Sequence, residues 1–220
     1  MATFRKYAWL LTATVLLLPG CDLSSDPIST RVWAIGTTQR LSTDTTQWWF
    51  LGDNSKTYYP HERTGSSPRS GVRVTAVMEL VDTERPGYDY VVKMLELSGV
   101  VTNSVTSTSQ QTIDTMKNND IWISSGFVSS HYLNLVVTVM GLNANESPHS
   151  FYLLRDSTQT TSPVKLILRH DLNGDSPYYT LNGTLSFDLE TLTERGAQDS
   201  VAVLLMTPKN GNMNFTYIFQ

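Results

Sequence analysis

"YYTLNGTLSFDL", residues 178–189, places Leu181, Gly183, Leu185, Phe187 and Leu189 on one side and Asn182, Thr184, Ser186 and Asp188 on the other. A period of two is that of a strand with one face in a core and the other outside it. A helix would bring apolar residues back every three or four positions. The same period recurs on both sides of this segment. Downstream lie "SVAVLLMT" (200–207) and "MNFTYIF" (213–219), joined through Asn210-Gly211, a hairpin-turn dipeptide. Upstream lie "DIWISSGFV" (120–128), "YLNLVVTVMGL" (132–142), "HSFYLLRD" (149–156) and "VKLILRH" (164–170). Seven strands at this spacing predict a β-sandwich over residues 120–220. Only "ETLTERGA", Glu190 to Ala197, suggests a helical turn.

The first half is also built of strands, in shorter pieces. "VWAIGT" (32–37), "TQWWFLGD" (46–53) and "TYYP" (57–60) lead to "VRVTAVMELV" (72–81). There Val72, Val74, Ala76, Met78 and Leu80 form an inner face, with Arg73, Thr75 and Glu79 opposite. A turn at Pro86-Gly87 returns the chain through "YVVKMLELSGV" (90–100). Five short strands without a helix fit a small barrel of the OB type over residues 31–101. Residues 102–119, "TNSVTSTSQQTIDTMKNN", are poor in large hydrophobes and read as a linker, with Ile113 and Met116 available as a cover. The fold class is all-β: a barrel, then a sandwich.

The N-terminus sets location. Arg5 and Lys6 precede an uncharged run from Tyr7 to Leu18, then Pro19-Gly20-Cys21. Two cations, a short apolar core and small residues predict a signal peptide over residues 1–20. The run is too short for a transmembrane helix, which needs about 20 apolar residues. Cys21 is the only cysteine of 220 residues, so no intramolecular disulfide forms. Losing Arg5 and Lys6 leaves 14 cationic side chains against 20 carboxylates, a formal charge of −6. A nucleic-acid partner would ask for the opposite sign.

Leu18-Pro19-Gly20-Cys21 resembles the lipobox of bacterial lipoproteins, with Pro19 departing from the usual small or leucine-adjacent residue. The resemblance implies that the Cys21 thiol carries lipid and residues 21–30 are a polar tether. The second half then resembles the NigD-like lipoproteins of the Bacteroidetes. The residues that carry this are Asn119–Trp122 (N-D-I-W), Tyr132–Asn134 (Y-L-N), Arg169–Asp175 (R-H…G-D) and Gly183–Leu189 (G…S-F-D-L). That family implies an OB-like domain before a β-sandwich, lipid-anchored in the cell envelope, with the outer membrane the expected site. It supplies no catalytic residues, and its name comes from a bacteriocin-associated operon.

Four features invite a functional reading. Trp48, Trp49, Tyr58 and Tyr59 concentrate aromatic surface in the barrel; neighbours on a strand face opposite ways, so one of Trp48 and Trp49 lies outside a one-sided core, available to a sugar ring or a peptide. Asp171, Asn173 and Asp175 alternate as at the start of a calcium loop, but Gly174 stands too early and Asn182 occupies the position where glutamate belongs. The competing expectation is a turn with Asn173-Gly174 at positive φ. His61, His131, His149 and His170 are scattered, without metal-ligand spacing, and Arg169-His170 reads as buried polar framing. Thr45, Thr115, Ser157 and Ser200 each follow an aspartate, resembling the Asp-Ser/Thr-apolar acceptor of O-glycosylation in these bacteria. No nucleophile elbow or paired carboxylates stand out, and no cofactor is called for. The expectation is a non-enzymatic binding or accessory module for an envelope protein or glycan; self-immunity to a bacteriocin is the alternative.

Overall fold

The computed structural model describes residues 30–41, 44–62, 68–142, 148–159, 163–192, 200–207 and 211–218. Residues 1–29, with the signal, Cys21 and most of the tether, lie outside them. Among the described residues no helix is long and apolar enough to cross a membrane.

Five strands close the first barrel: β1 (Arg31–Leu41), β2 (Asp44–Gly52), β3 (Thr57–Glu62), β4 (Arg73–Leu80) and β5 (Tyr90–Gly99). Their order is β1-β2-β3-β5-β4, with β4 returning to β1. Only the β3–β5 pair is parallel. That is the circuit expected of an OB-type barrel. Closure needs β1 to press on β2 at Gly36, opposite Gly52. A Cβ at Gly36 would overlap the Leu51 carbonyl oxygen, so glycine is required there. Ala34, Trp48, Phe50, Tyr58, Val74, Ala76, Met78, Val92 and Met94 fill the interior. On β4 the expected inward set holds for Val74, Ala76 and Met78, with Leu80 at the margin, while Val72 precedes the strand and is exposed.

The second unit is one eight-stranded sheet folded over its own core. To the seven strands expected from sequence it adds β6 (Val101–Thr108). The others are β7 (Trp122–Ser129), β8 (Tyr132–Gly141), β9 (Ser150–Asp156), β10 (Val164–Asp171), β11 (Tyr179–Asp188), β12 (Ser200–Thr207) and β13 (Gly211–Ile218). They run in the order β13-β12-β10-β9-β6-β11-β8-β7. Here the linker reading of 102–119 is corrected. Residues 101–104 pair with β11 and 105–108 with β9, so β6 carries the chain from one half of the sandwich to the other. Thr and Ser dominate this strand because its side chains are mostly exposed, only Val105 reaching the core. The backbone pairing, which composition does not reveal, holds it in place. After it, α1 (Gln110–Thr115) starts at Ser109, whose hydroxyl accepts the Thr112 N–H at 3.2 Å. The helix drops Ile113 into full burial, the cover anticipated for that residue.

Leu133, Leu135, Leu153, Leu166, Leu168, Leu185, Phe187 and Leu189 form the dense centre of the sandwich. From the opening segment, Leu185, Phe187 and Leu189 are buried, Leu181 packs at the edge, and Gly183 is exposed. The two outer strands approach where Phe215 of β13 lies over Gly126 of β7. Of the expected helical turn, Glu190–Leu192 is a 3-10 turn that buries Leu192; residues 193–197 lie outside the described residues.

Candidate functional site

Three polar residues stand on outward-facing positions of their strands and are nevertheless buried: Arg73 on β4, Asn134 on β8 and Ser186 on β11. Alternation explains the contradiction. Each points away from its own core and into the seam where barrel and sandwich press together. The Arg73 guanidinium donates to both oxygens of Asp53, at 3.0 and 2.8 Å, and its Nη2 also reaches Asn134 Oδ1 at 3.1 Å. Asn134 Oδ1 accepts the Ser186 hydroxyl at 2.6 Å; Asn134 Nδ2 donates to Ser129 Oγ at 2.8 Å; Ser129 in turn donates to Asp53 Oδ2 at 2.5 Å. Arg73 lies 3.6 Å above the Tyr132 ring, a cation–π contact. Among the described residues its Nε has no hydrogen-bond partner. The side chains of Arg73 and Asp53 are 2% and 8% exposed, and among the described residues theirs is the ion pair each of them makes.

Above this closed pair the seam opens into a cleft of about 330 Å³. Its barrel wall is Thr37, Gln39, Leu51, Gly52, Asp53, Ser55 and Arg73; its sandwich wall is the tip of the β7–β8 hairpin, Ser130, His131 and Tyr132. Ser55 and Ser130 hold φ of 61° and 52°, two of three non-glycine residues at positive φ among those described. Such backbone strain persists where surrounding structure imposes it and gathers at ligand sites.

A second buried polar group lies at the far end of the β9–β10 hairpin. His170 Nδ1 meets the Asp120 carbonyl at 3.0 Å, its Nε2 meets His149 Nδ1 at 3.0 Å, and His149 Nε2 meets Asp175 Oδ2 at 3.0 Å. Asp175 also accepts the backbone N–H groups of Leu142 and Ser176. A carbonyl and a carboxylate at the two ends accept, so His170 Nδ1 and His149 Nε2 donate there. Burial pushes the His170 pKa down from 6.5, against the Asp120 hydrogen bond that raises it.

The comparisons with known proteins agree with this architecture. The model of the NigD-like C-terminal beta sandwich domain matches residues 103–219. The chain belongs to the NigD-like family. Its match begins inside β6, in keeping with that strand's place in the sandwich. Among solved structures, a protein of unknown function from Bacteroides vulgatus is 16% identical over 87% of this chain and 92% of its own, with a TM-score of 0.70. A NigD-like immunity protein from Bacteroides caccae is 19% identical over 87% and 98%, with a TM-score of 0.63. A candidate lipoprotein from Bacteroides fragilis is 12% identical over 86% and 97%, with a TM-score of 0.58. At these identities the likeness shows the fold. No curated protein matches the chain.

The residues that carry the NigD-like resemblance divide between the two polar clusters. Asn119, Asp120, His170 and Asp175 surround the histidine chain: the Asn119 N–H donates to the His170 carbonyl at 2.9 Å and Asn119 Oδ1 accepts the Leu172 N–H at 3.2 Å. Asn134 and Ser186, opposite each other in register, belong to the seam. His170 is thus the buried framing expected of it. Its link to His149 went unread, although the β9–β10 pairing, with Phe151 opposite His170, brings them together.

The expected aromatic surface is corrected. Trp48 and Tyr58 are buried, Trp48 at 3% exposure, because β2 and β3 turn these faces inward to fill a narrow barrel; Tyr59, on the other face of β3, is buried outside it, against Tyr88 at 5.0 Å and under the Arg85 guanidinium at 3.7 Å. Trp49, the outward neighbour, is half-buried and meets Tyr88 edge-on at 6.1 Å. Of the four, Trp49 alone keeps ligand-accessible area. The calcium reading is corrected too. Asp171 accepts the Asn173 N–H, Asn173 donates to Pro148 and Ser150, and Asp175 faces His149. No group of three His, Cys, Asp or Glu side chains among the described residues could hold a metal ion. Asn173 and Gly174 take φ of 50° and 86°, the turn that was the alternative. Thr115 and Ser157 are exposed; Thr45 and Ser200 lie on described backbone, with side chains outside the described residues.

Proposed function

We propose that this is a lipid-anchored cell-envelope protein, held to the outer membrane through Cys21, that binds an envelope partner or glycan without catalysing a reaction. The observation that carries the reading is the seam cleft. It is concave, lies between two domains where ligand sites concentrate, and is lined by hydroxyl, amide and aromatic groups over a carboxylate and a guanidinium committed to each other. An acid–base or nucleophilic mechanism asks for a titratable group free to act on substrate; Asp53 and Arg73 are not free in that sense. The lipobox resemblance and the candidate lipoprotein among the fold relatives support the anchor. The test is capture of the acylated protein from intact envelopes of its native host, with the mass of the mature chain measured in parallel. A diacylglyceryl-bearing Cys21 and a specific envelope component co-purifying are expected; an unmodified Cys21, or no component above background, would overturn the reading. The same mass reports O-glycosylation at exposed Thr115 or Ser157 as hexose increments.

Self-immunity to a bacteriocin is the second reading, supported by the NigD-like immunity protein of Bacteroides caccae among the fold relatives. It requires that deleting the gene sensitise the host to a toxin encoded beside it. A deletion strain with unchanged sensitivity would remove it.

A further inference from the structure

We propose that the seam cleft takes an uncharged sugar unit, the neutral end or branch of a glycan, rather than an anionic saccharide or a peptide terminus. This rests on the binding reading above and adds the ligand class and the residues that select it.

Charge is the first ground. An anionic ligand needs an uncommitted cation, and the cleft's guanidinium has both terminal nitrogens on Asp53. A cationic ligand needs an uncommitted carboxylate, and both Asp53 oxygens are already occupied by Arg73, with Ser129 on one of them. The remaining titratable group at the rim, His131, stands 3.9 Å from Glu190. Desolvating a ligand charge here would gain no partner in return, and an unpaired buried charge is strongly unfavourable. Neutral ligands escape that penalty.

Hydrogen-bonding supply is the second ground. Among the described residues, the Thr37 hydroxyl, the Gln39 amide and the Ser55 hydroxyl make no side-chain hydrogen bond, and all three line the cleft. Together they offer donors and acceptors on one wall, the pattern that ring hydroxyls pair with. Thr37 and Gln39 are two apart on β1, so they project from the same face. On the opposite wall the Tyr132 ring is covered by Arg73, and the His131 ring lies 4.1 Å from Tyr132 and is 32% exposed. His131 is the open ring face against which a sugar can lie. The volume, about 330 Å³, sits at the lower end of the range for small-ligand sites, about 300–1,000 Å³, which suits one or two sugar rings.

The experiment titrates the full chain with maltose and N-acetyllactosamine, with a uronate-bearing disaccharide, and with a short peptide ending in a free carboxylate. Binding is read as chemical-shift changes in the amide spectrum. A neutral disaccharide is expected to move Gln39, Ser55 and His131 and to bind at least tenfold more tightly than the uronate or the peptide. The Gln39→Ala/Ser55→Gly variant, which keeps the positive-φ position unstrained, should weaken that binding tenfold or more. Trp122→Ala, on the outer surface of β7, should leave it unchanged. Preference for the charged probes, or no shift with either neutral sugar, would overturn the proposal. Neutral-sugar shifts confined to Trp49 and Tyr88 would also overturn it, while leaving the broader binding reading in place.

Discussion

The molecule buries polar side chains in two places, and the contrast between them explains how it is put together. The histidine chain sits inside one domain and ties the open end of the β9–β10 hairpin to the segment before β7 and to the loop after β10. The seam network sits inside neither domain. Arg73, Asp53, Ser129, Asn134 and Ser186 are each on the surface of their own unit and become interior only when the two units meet. The first cluster holds an imidazole, His170, whose pKa burial lowers. The second holds an ion pair closed on itself. Polar burial within a domain therefore makes this protein acid-sensitive, and polar burial between domains makes it one body.

The largest expected effect breaks the seam. Arg73→Met leaves Asp53 buried without its cation, and removing one partner of a buried pair costs about 3–5 kcal/mol. In urea denaturation the midpoint should fall accordingly. The Arg73→Met/Asp53→Leu double variant should recover much of the loss, because neither charge is then stranded. A double variant no better than the single one would mean that Asp53 is not answered by Arg73 alone.

Next comes the acid response of the histidine chain. His170 has its folded pKa below 6.5, so the native state binds fewer protons than the unfolded chain in the window beneath that value. The stability it lends is present above about pH 6.5 and is lost as pH falls through the folded pKa. For one proton the slope approaches about 1.4 kcal/mol per pH unit. Urea midpoints measured from pH 8 to pH 5 should show this decline, and His170→Phe should flatten it. Variants of the seam should not alter the slope.

A smaller effect sharpens the seam's inner order. Ser186→Ala removes one hydrogen bond to Asn134 Oδ1, which keeps its bond from Arg73, and should cost about 0.5–1.5 kcal/mol. The smallest effect lies on the barrel surface. The Thr57 backbone and hydroxyl, then Lys56, hold the Asp89 carboxylate at a pKa of about 2. Its contribution is present above about 3.8 and disappears as pH falls toward 2. A carboxyl titration followed by NMR should place Asp89 below every freely solvated aspartate, and a midpoint near 4 would contradict the hydrogen-bond geometry.

How much of this was legible in the sequence follows from the same contrast. Periodicity of two located the strands of both domains, and the five-strand barrel circuit was within reach because strand number and spacing limit the choices. Asn173-Gly174 disclosed its turn through backbone chemistry alone. β6 was hidden because pairing, not side-chain burial, holds it, so a threonine-rich strand read as a linker. The aromatic cluster misled for the opposite reason: a narrow barrel turns Trp48 and Tyr58 inward, and Tyr88 and Arg85 cover Tyr59, where composition suggested a surface. Arg73 and Ser186 were correctly assigned to outward faces, and no single-domain pattern tells that an outward face is covered by another domain. The seam cleft lay beyond sequence reading, since its walls come from strands about 80 residues apart.

The most direct test is native-state hydrogen exchange at Ala76 in the barrel and Leu135 in the sandwich, followed in increasing urea. If the Arg73 network makes the two domains one cooperative body, both amides should converge on a single opening free energy, and Arg73→Met should split them. Separate opening free energies for Ala76 and Leu135 in the unaltered protein would contradict it.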